Sequence, residues 1–154
     1  MSRTTIDIGI DLGTTNSAIA GPETDKITVV PSVVRLTENG ELEIGHEARK
    51  VLGTDPKNTA SEFKRLMGTT TKITFEASGT TKTPEELSAE VLKALRAVYR
   101  EETGLEIDRA VITVPALFEI PQNEATERAA ALAGIVEAPL LQEPIAAALA
   151  YGFG

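Results

Sequence analysis

Apolar and polar residues alternate at the start of the chain. From Ile6 to Leu12 every even position is apolar, and every odd position holds Asp or Gly. This pattern predicts a β-strand with one buried face. Two further short strands are predicted at 17–20 and 27–30, on either side of a turn at Gly21 and Pro22. The chain is therefore predicted to open with a β-meander.

A second hairpin is predicted after the meander. Asn39 and Gly40 lie between the spans 32–36 and 41–44, and an Asn-Gly pair readily takes the positive φ of a tight hairpin turn. The next predicted elements, in chain order, are a helix at 47–52 ended by Gly53, a helix at 59–67 ended by Gly68, and a strand at 72–75.

The second half of the chain alternates between predicted helices and strands. Thr83 is a predicted N-cap, with Pro84 at the first helical position and Glu86 closing a capping box. Gly104 is the predicted end of this helix. The run of β-branched residues at 110–114 predicts a strand that is buried on both faces, as in a parallel sheet.

The last predicted elements complete an α/β fold with a mixed sheet. They are a helix at 121–133 followed by Gly134, a short strand around Leu140, and a helix from Pro144 onward. This final helix has no polar face, so we expect it to pack against another surface. We therefore expect residues 1–154 to be one lobe of a longer protein.

Composition excludes several classes of protein. The 154 residues carry 15 Lys and Arg against 23 Asp and Glu, for a net charge of −8, and include no Cys. The lack of Cys excludes disulfide frameworks and thiolate metal sites, and it fits a reducing, cytoplasmic setting. The acidic balance argues against nucleic acid as a partner. The longest uncharged apolar stretch, 144–154, is far shorter than the roughly 20 residues that span a bilayer, so no membrane insertion is expected.

The span 11–16 is the first candidate for chemistry. Asp11 ends the first predicted strand and is followed by Leu-Gly-Thr-Thr-Asn. A carboxylate beside a tight turn of N–H groups and hydroxyls suits a phosphate with magnesium. An ordinary hairpin turn accounts for the same residue types, so spacing alone leaves both interpretations open. Neither the Walker pattern nor G-x-G-x-x-G occurs.

The span 8–17 closely resembles the first phosphate motif of the DnaK-type, seventy-kilodalton heat-shock chaperones. Other blocks resemble this family in the same order, namely 31–34, 64–68, 110–116 and 143–152. The resemblance covers nearly the whole chain. It implies the first lobe of an actin-like ATPase domain, with a ribonuclease-H-like fold, and it places the second lobe outside this sequence.

The resemblance implies that ATP or ADP and magnesium bind near the first strand. Asp11 would hold magnesium through water. Gly13, Thr14 and Thr15 would cradle the β- and γ-phosphates with backbone N–H groups and hydroxyls. Beyond ATP, the implied partners are the second lobe and, through the parent protein, unfolded polypeptide clients and cochaperones.

Three further residues take implied roles. Lys64 would contact the γ-phosphate and stabilise its charge, although by itself it also fits an exposed lysine on a helix. Glu143 would orient the attacking water or a magnesium-bound water, and as a carboxylate at the start of a helix it would also be favoured by the helix dipole. Pro115 resembles the proline switch that reports the nucleotide state to a substrate domain.

The chain departs from the family pattern after Pro115. Asn123 and Glu127 stand where family members usually carry an Arg and a Lys that serve interdomain coupling, and Leu117 replaces an aromatic residue. We therefore expect coupling to a peptide-binding domain to be altered or absent. Because the second wall of the cleft is outside this sequence, we also expect the isolated chain to bind nucleotide weakly and to turn it over slowly or not at all.

Three other functions share parts of the pattern. An actin-like filament protein of the MreB type has a similar Asp-x-Gly-Thr turn, and a sugar kinase shares the Asp-x-Gly-Thr-Thr turn. A nucleotide-gated binding module without useful turnover is the third. The spans 64–68 and 150–152 favour the chaperone family over the filament.

Overall fold

The computed structural model describes residues 6–143 and shows a mixed α/β fold. The strands are β1 (Gly9–Asp11), β2 (Asn16–Ala20), β3 (Thr28–Pro31), β4 (Val33–Leu36), β5 (Leu42–Ile44), β6 (Thr59–Ser61), β7 (Ile73–Phe75), β8 (Thr80–Lys82), β9 (Val111–Val114) and β10 (Leu140–Gln142). The helices are α1 (His46–Lys50), α2 (Pro84–Thr103) and α3 (Ile120–Leu132). The main sheet has the order β10-β9-β1-β2-β3.

The predicted β-meander is confirmed. Strand β1 pairs antiparallel with β2, and β2 pairs antiparallel with β3. The predicted alternation is also present, since Ile8, Ile10 and Leu12 are buried while Asp7 and Asp11 are exposed. The hydrogen-bonded strand is shorter than the predicted span, because only Gly9–Asp11 has neighbours on both sides.

Two parallel strands from the second half of the chain complete the main sheet. Strand β9 inserts beside β1, and β10 adds to the other edge of β9. The prediction that 110–114 is buried on both faces is wrong for half of the strand. Ile112 and Val114 are buried, whereas Val111 and Thr113, which point to the opposite face of the strand, are only half-buried.

The predicted second hairpin is confirmed as β4 and β5, with Gly40 at a φ of 84° in its turn. The predicted helix at 59–67 is wrong. Its first residues form β6, which pairs with β4 in a second sheet of order β5-β4-β6. Glu62 then takes a left-handed φ of 55°, and a 3-10 turn, Phe63–Leu66, follows. Pairing with β4 therefore overrides the local helical pattern in this segment.

Helix α2 begins and ends as predicted. The Thr83 side chain accepts from the Glu86 N–H, the Glu86 carboxylate accepts from the Thr83 N–H, and Gly104 is left-handed at the C-terminus. The helix packs against α3 and against β2 and β3. Strands β7 and β8 form a separate hairpin, of which only the first strand was predicted.

Helix α3 is shifted by one residue from the predicted span, and Gly134 follows its C-cap with a φ of 84°. Its buried face is made of small residues, including Ala125, Ala129 and Ala130, which lets it approach α2 closely. The helix predicted from Pro144 onward lies outside the described residues. Within 6–143, no helix is long and apolar enough to cross a membrane.

Candidate functional site

The turn between β1 and β2, residues 13–15, is the centre of the candidate site. Asp11 ends β1 two residues before Gly13, and Asn16 opens β2 directly after the turn. A Cβ atom on Gly13 would lie 2.0 Å from the carbonyl oxygen of Asn16. The close approach of these two backbone segments therefore requires glycine at position 13.

Hydrogen bonds from two serines hold this turn. The Gly13 N–H donates to Ser17 Oγ over 3.2 Å, and the Ser32 hydroxyl donates to the Gly13 carbonyl oxygen over 2.8 Å. The Ser32 N–H donates to the Thr15 carbonyl oxygen over 2.9 Å. Within residues 6–143, no acceptor takes the backbone N–H of Thr14 or Thr15. Two neighbouring donors are thus available on a braced turn.

Asp11 is exposed and oriented by the neighbouring strand. It pairs in register with Thr113 of β9, whose hydroxyl lies 3.1 Å from Asp11 Oδ1 and donates to it. The carboxylate therefore projects from the end of β1, where parallel strands of α/β sheets commonly place their binding groups.

Lys64 is brought to the same region, and it is buried. Its side chain is only 9% exposed in the 3-10 turn Phe63–Leu66, so the alternative of an exposed helix lysine is wrong. Lys64 Nζ lies 3.8 Å from Glu143 Oε1 and 5.6 Å from the ring centroid of Phe118. Burial lowers the pKa of the Lys64 ammonium below its ordinary value, while the carboxylates of Glu143 and Asp11 act against this by a smaller amount.

The structure therefore brings Lys64 and Glu143, which are distant in sequence, to the region of Asp11 and the turn. The donor turn, the exposed Asp11 carboxylate, the buried Lys64 ammonium and the Glu143 carboxylate lie at one end of the main sheet. A desolvated cation beside free N–H donors can hold an anion strongly, because both attract negative charge in a poorly solvated setting. In the described part of the chain, no group of three or more His, Cys, Asp or Glu side chains is placed to hold a metal ion.

The remaining predicted residues lie beside this group or away from it. Pro115 follows β9, and its carbonyl oxygen accepts from the Phe118 N–H over 3.0 Å, which carries Phe118 back towards Lys64. On α3, Glu127 is exposed, whereas Asn123 is half-buried. Asn123 Oδ1 is a buried oxygen with no hydrogen-bond partner among the described residues.

Sequence reasoning missed the residues that support the site. Ser17 and Ser32 lie inside the family-like blocks but carried no predicted role, and Thr113 appeared only as part of a strand. Phe118 likewise carried no predicted role. A polar residue in an otherwise apolar strand was the available signal for Thr113, because a half-buried hydroxyl requires a partner.

Comparison with known proteins identifies the relatives of this chain. A family model described as Hsp70 protein matches residues 7–154. The chaperone protein DnaK of Mycoplasmoides gallisepticum is 44% identical over 156 residues, which cover 94% of this chain and 26% of that protein. A chaperone protein HscA homolog of Laribacter hongkongensis is 41% identical over 172 residues, which cover 94% of this chain and 28% of that protein.

The chain thus spans about a quarter of the length of these relatives. Nothing in these matches favours the filament or sugar-kinase alternatives. The family model covers almost the whole sequence, and the resemblance inferred from the phosphate motif and the later blocks is confirmed: the chain belongs to the Hsp70 family.

Proposed function

We propose that this chain is the first lobe of an actin-like ATPase domain, with a ribonuclease-H-like fold, in a chaperone that hydrolyses ATP to drive a conformational change. The observation that carries the proposal is the position of Lys64. This buried ammonium lies 3.8 Å from Glu143 and within electrostatic reach of Asp11, two residues before the turn at 13–15.

The turn supplies the phosphate donors. Thr14 and Thr15 each offer a backbone N–H without an acceptor in the described chain, together with a hydroxyl. Gly13 contributes differently from the expectation, because its N–H already donates to Ser17. Its role in binding is to let the turn close tightly enough to present the neighbouring donors, because a Cβ at position 13 would collide with the Asn16 carbonyl oxygen.

Lys64 stabilises the charge of the transferred phosphoryl group. Phosphoryl transfer depends on positioning and on charge stabilisation rather than on covalent chemistry of the protein. Because burial keeps water away from the Lys64 ammonium, its attraction to a γ-phosphate is less screened than that of an exposed lysine.

Glu143 orients the attacking water. Its side chain is half exposed directly after β10, so water can contact its carboxylate while Lys64 holds the other side of the group. A carboxylate in this place accepts a hydrogen bond from water and directs the water oxygen towards the phosphorus atom.

The residues present fit magnesium held through water. Magnesium keeps several waters and binds one or two carboxylates together with substrate phosphates. Asp11 offers one exposed carboxylate, fixed by the Thr113 hydroxyl as metal-binding carboxylates usually are. Bound magnesium would neutralise charge on the β- and γ-phosphates.

The rest of the protein completes the activity. The relatives are about four times longer than this chain, and both are named as chaperone proteins. A second lobe would form the opposite wall of the cleft, so the isolated lobe binds nucleotide weakly and hydrolyses it slowly. Unfolded polypeptides and cochaperones are the proposed partners of the parent protein, and the cytoplasm is its proposed location.

Coupling to a substrate domain is altered in this member of the family. Pro115 is retained as the proposed switch, but Asn123 and Glu127 replace the expected basic residues. Normal stimulation of ATP turnover by peptide in the parent protein would contradict this part of the proposal.

The test is an amide chemical-shift titration of the 154-residue chain with magnesium ATP up to millimolar concentration. Shifts are expected at Thr14, Thr15, Lys64 and Glu143. Asp11→Asn should remove the dependence of these shifts on magnesium, whereas Asp25→Asn, an exposed carboxylate outside the site, should not. Silence at these amides, or shifts clustered elsewhere, would refute the phosphate assignment.

A further inference from the structure

Two buried serines lie directly behind the turn at 13–15. Ser17 is the second residue of β2, and Ser32 joins β3 to β4. Their exposed fractions are 1% and 2%. A buried hydroxyl is costly unless it is hydrogen-bonded, so the partners of these two side chains explain why serine stands there.

The directions of the hydrogen bonds follow from counting hydrogens. Ser17 Oγ and Ser32 Oγ are 2.8 Å apart, and each hydroxyl has one hydrogen to donate. Ser32 donates its hydrogen to the Gly13 carbonyl oxygen. The hydrogen between the two serines must therefore come from Ser17, which in turn accepts from the Gly13 N–H.

The result is a closed ring of three hydrogen bonds, which we name the serine ring. It runs from the Gly13 N–H to Ser17, from Ser17 to Ser32, and from Ser32 back to the Gly13 carbonyl. Each bond points the same way around the ring, so each polarises the next and strengthens it. Both polar groups of Gly13 are engaged.

The far end of the turn is fixed by the same residue. The Ser32 N–H donates to the Thr15 carbonyl oxygen over 2.9 Å, so Ser32 binds both sides of the turn. Neither Thr14 nor Thr15 has its N–H engaged within residues 6–143. The Gly13 N–H is therefore engaged in the ring, whereas the N–H groups of Thr14 and Thr15 remain available to a ligand.

We propose that the serine ring positions the turn for phosphate, so that the N–H groups of Thr14 and Thr15 receive it and the Gly13 N–H does not. Ser17 and Ser32 are positioning residues that act through the backbone of Gly13. This inference rests on the proposed function, because it assigns the donors within the phosphate site proposed there.

The experiment measures binding of magnesium tripolyphosphate and of magnesium ATP to the isotope-labelled chain. In the unchanged chain, the amides of Thr14 and Thr15 should shift strongly and the Gly13 amide weakly. Ser32→Ala should weaken tripolyphosphate binding about tenfold, the effect of losing one well-placed hydrogen bond. Ser17→Ala should weaken it similarly, and the double variant little further, because either change opens the ring.

A matched control separates positioning from a general loss of stability. Ser88 of α2 is also fully buried, and among residues 6–143 the one partner of its hydroxyl is the sulfur of Met67, 3.6 Å away. Ser88→Ala should leave the affinity for tripolyphosphate unchanged. All affinities are measured well below the unfolding temperature of each variant.

The outcomes distinguish this inference from the proposed function. Absence of binding by the unchanged chain refutes both. If the unchanged chain binds, three results would refute the serine ring alone. They are full affinity in folded Ser32→Ala, additive losses in the double variant, and a dominant shift at Gly13. If Ser32→Ala does not fold, the comparison of Gly13 with Thr14 and Thr15 in the unchanged chain still decides.

Discussion

Lys64→Met is expected to stabilise the chain while removing the buried cation from its proposed phosphate site. Methionine has a similar length and no charge, so it fills the same space beside Phe118 without an ammonium group to desolvate. The lowered pKa of Lys64 shows that burial costs the charged form more than its partners return. A residue that destabilises the free chain in this way is typical of a binding site.

The magnitude follows from the opposing terms. Two unit charges 3.8 Å apart attract by about 4 kcal/mol at an effective dielectric constant near 20. The Glu143 side chain is 46% exposed, so water reduces this attraction well below that figure. Contact of the desolvated ammonium with the Phe118 ring, 5.6 Å away, adds about 1–2 kcal/mol. Because burial lowers the pKa of Lys64 despite these attractions, desolvation exceeds them. Lys64→Met should therefore gain stability, by about 1 kcal/mol as is typical of a single substitution, which raises Tm by about 2–4 °C.

Thermal and urea unfolding of the 154-residue chain would measure this gain. Lys57→Met, at an exposed lysine 3.8 Å from Glu76, is the control and should change stability by less than about 0.5 kcal/mol. The folded chain holds the Lys64 proton less tightly than the unfolded chain does. The advantage of the methionine variant should therefore be full at neutral pH and shrink as pH rises through the lowered pKa of Lys64. A loss of more than about 1 kcal/mol would show that the ion pair outweighs desolvation and would refute this reasoning.

Three further substitutions test the fold and the turn. Thr83→Ala should cost about 1 kcal/mol in urea unfolding by removing the α2 N-cap, and Thr83→Ser should restore it. Gly13→Ala should lower Tm and abolish the amide shifts with tripolyphosphate, because its Cβ would collide with the Asn16 carbonyl; unchanged shifts would contradict the geometry of the turn. Leu92→Ala, at a fully buried position, should cost about 2–5 kcal/mol, whereas Leu132→Ala, at a half-exposed one, should cost under about 0.5 kcal/mol.

Local signals account for the elements that were predicted correctly. The capping box at Thr83 and the glycines at 40, 104 and 134 act through neighbouring residues only, so their structural meaning can be inferred without the rest of the chain. The segment 59–67 was predicted wrongly for the opposite reason. Its strand exists because β4 is beside it, and Glu62 adopts a left-handed conformation that no sequence pattern indicates.

The supporting contacts of the candidate site could not be predicted from local sequence. Ser17 meets Ser32 because β2 pairs with β3 in one register, and Asp11 meets Thr113 because β9 inserts beside β1 in another. A shift of either register by one residue would turn these side chains to the opposite face. Family resemblance supplied Lys64 and Glu143 as candidates, but their 3.8 Å contact and the burial of Lys64 required the structure.

Because β9 inserts beside β1, the main sheet cannot be completed until β9 has been synthesised. Asp11 and Thr113 are neighbours in the sheet although 102 residues separate them, whereas the serine ring needs only residues 13–32. A ribosome that adds about 5–20 residues per second produces Thr113 about 5–20 s after Asp11. During that interval the meander can close its ring while one edge of β1 stays unpaired. An unpaired strand edge can pair with another chain and cause aggregation. A long pause in synthesis before β9 would therefore prolong the time in which nascent chains can aggregate through β1.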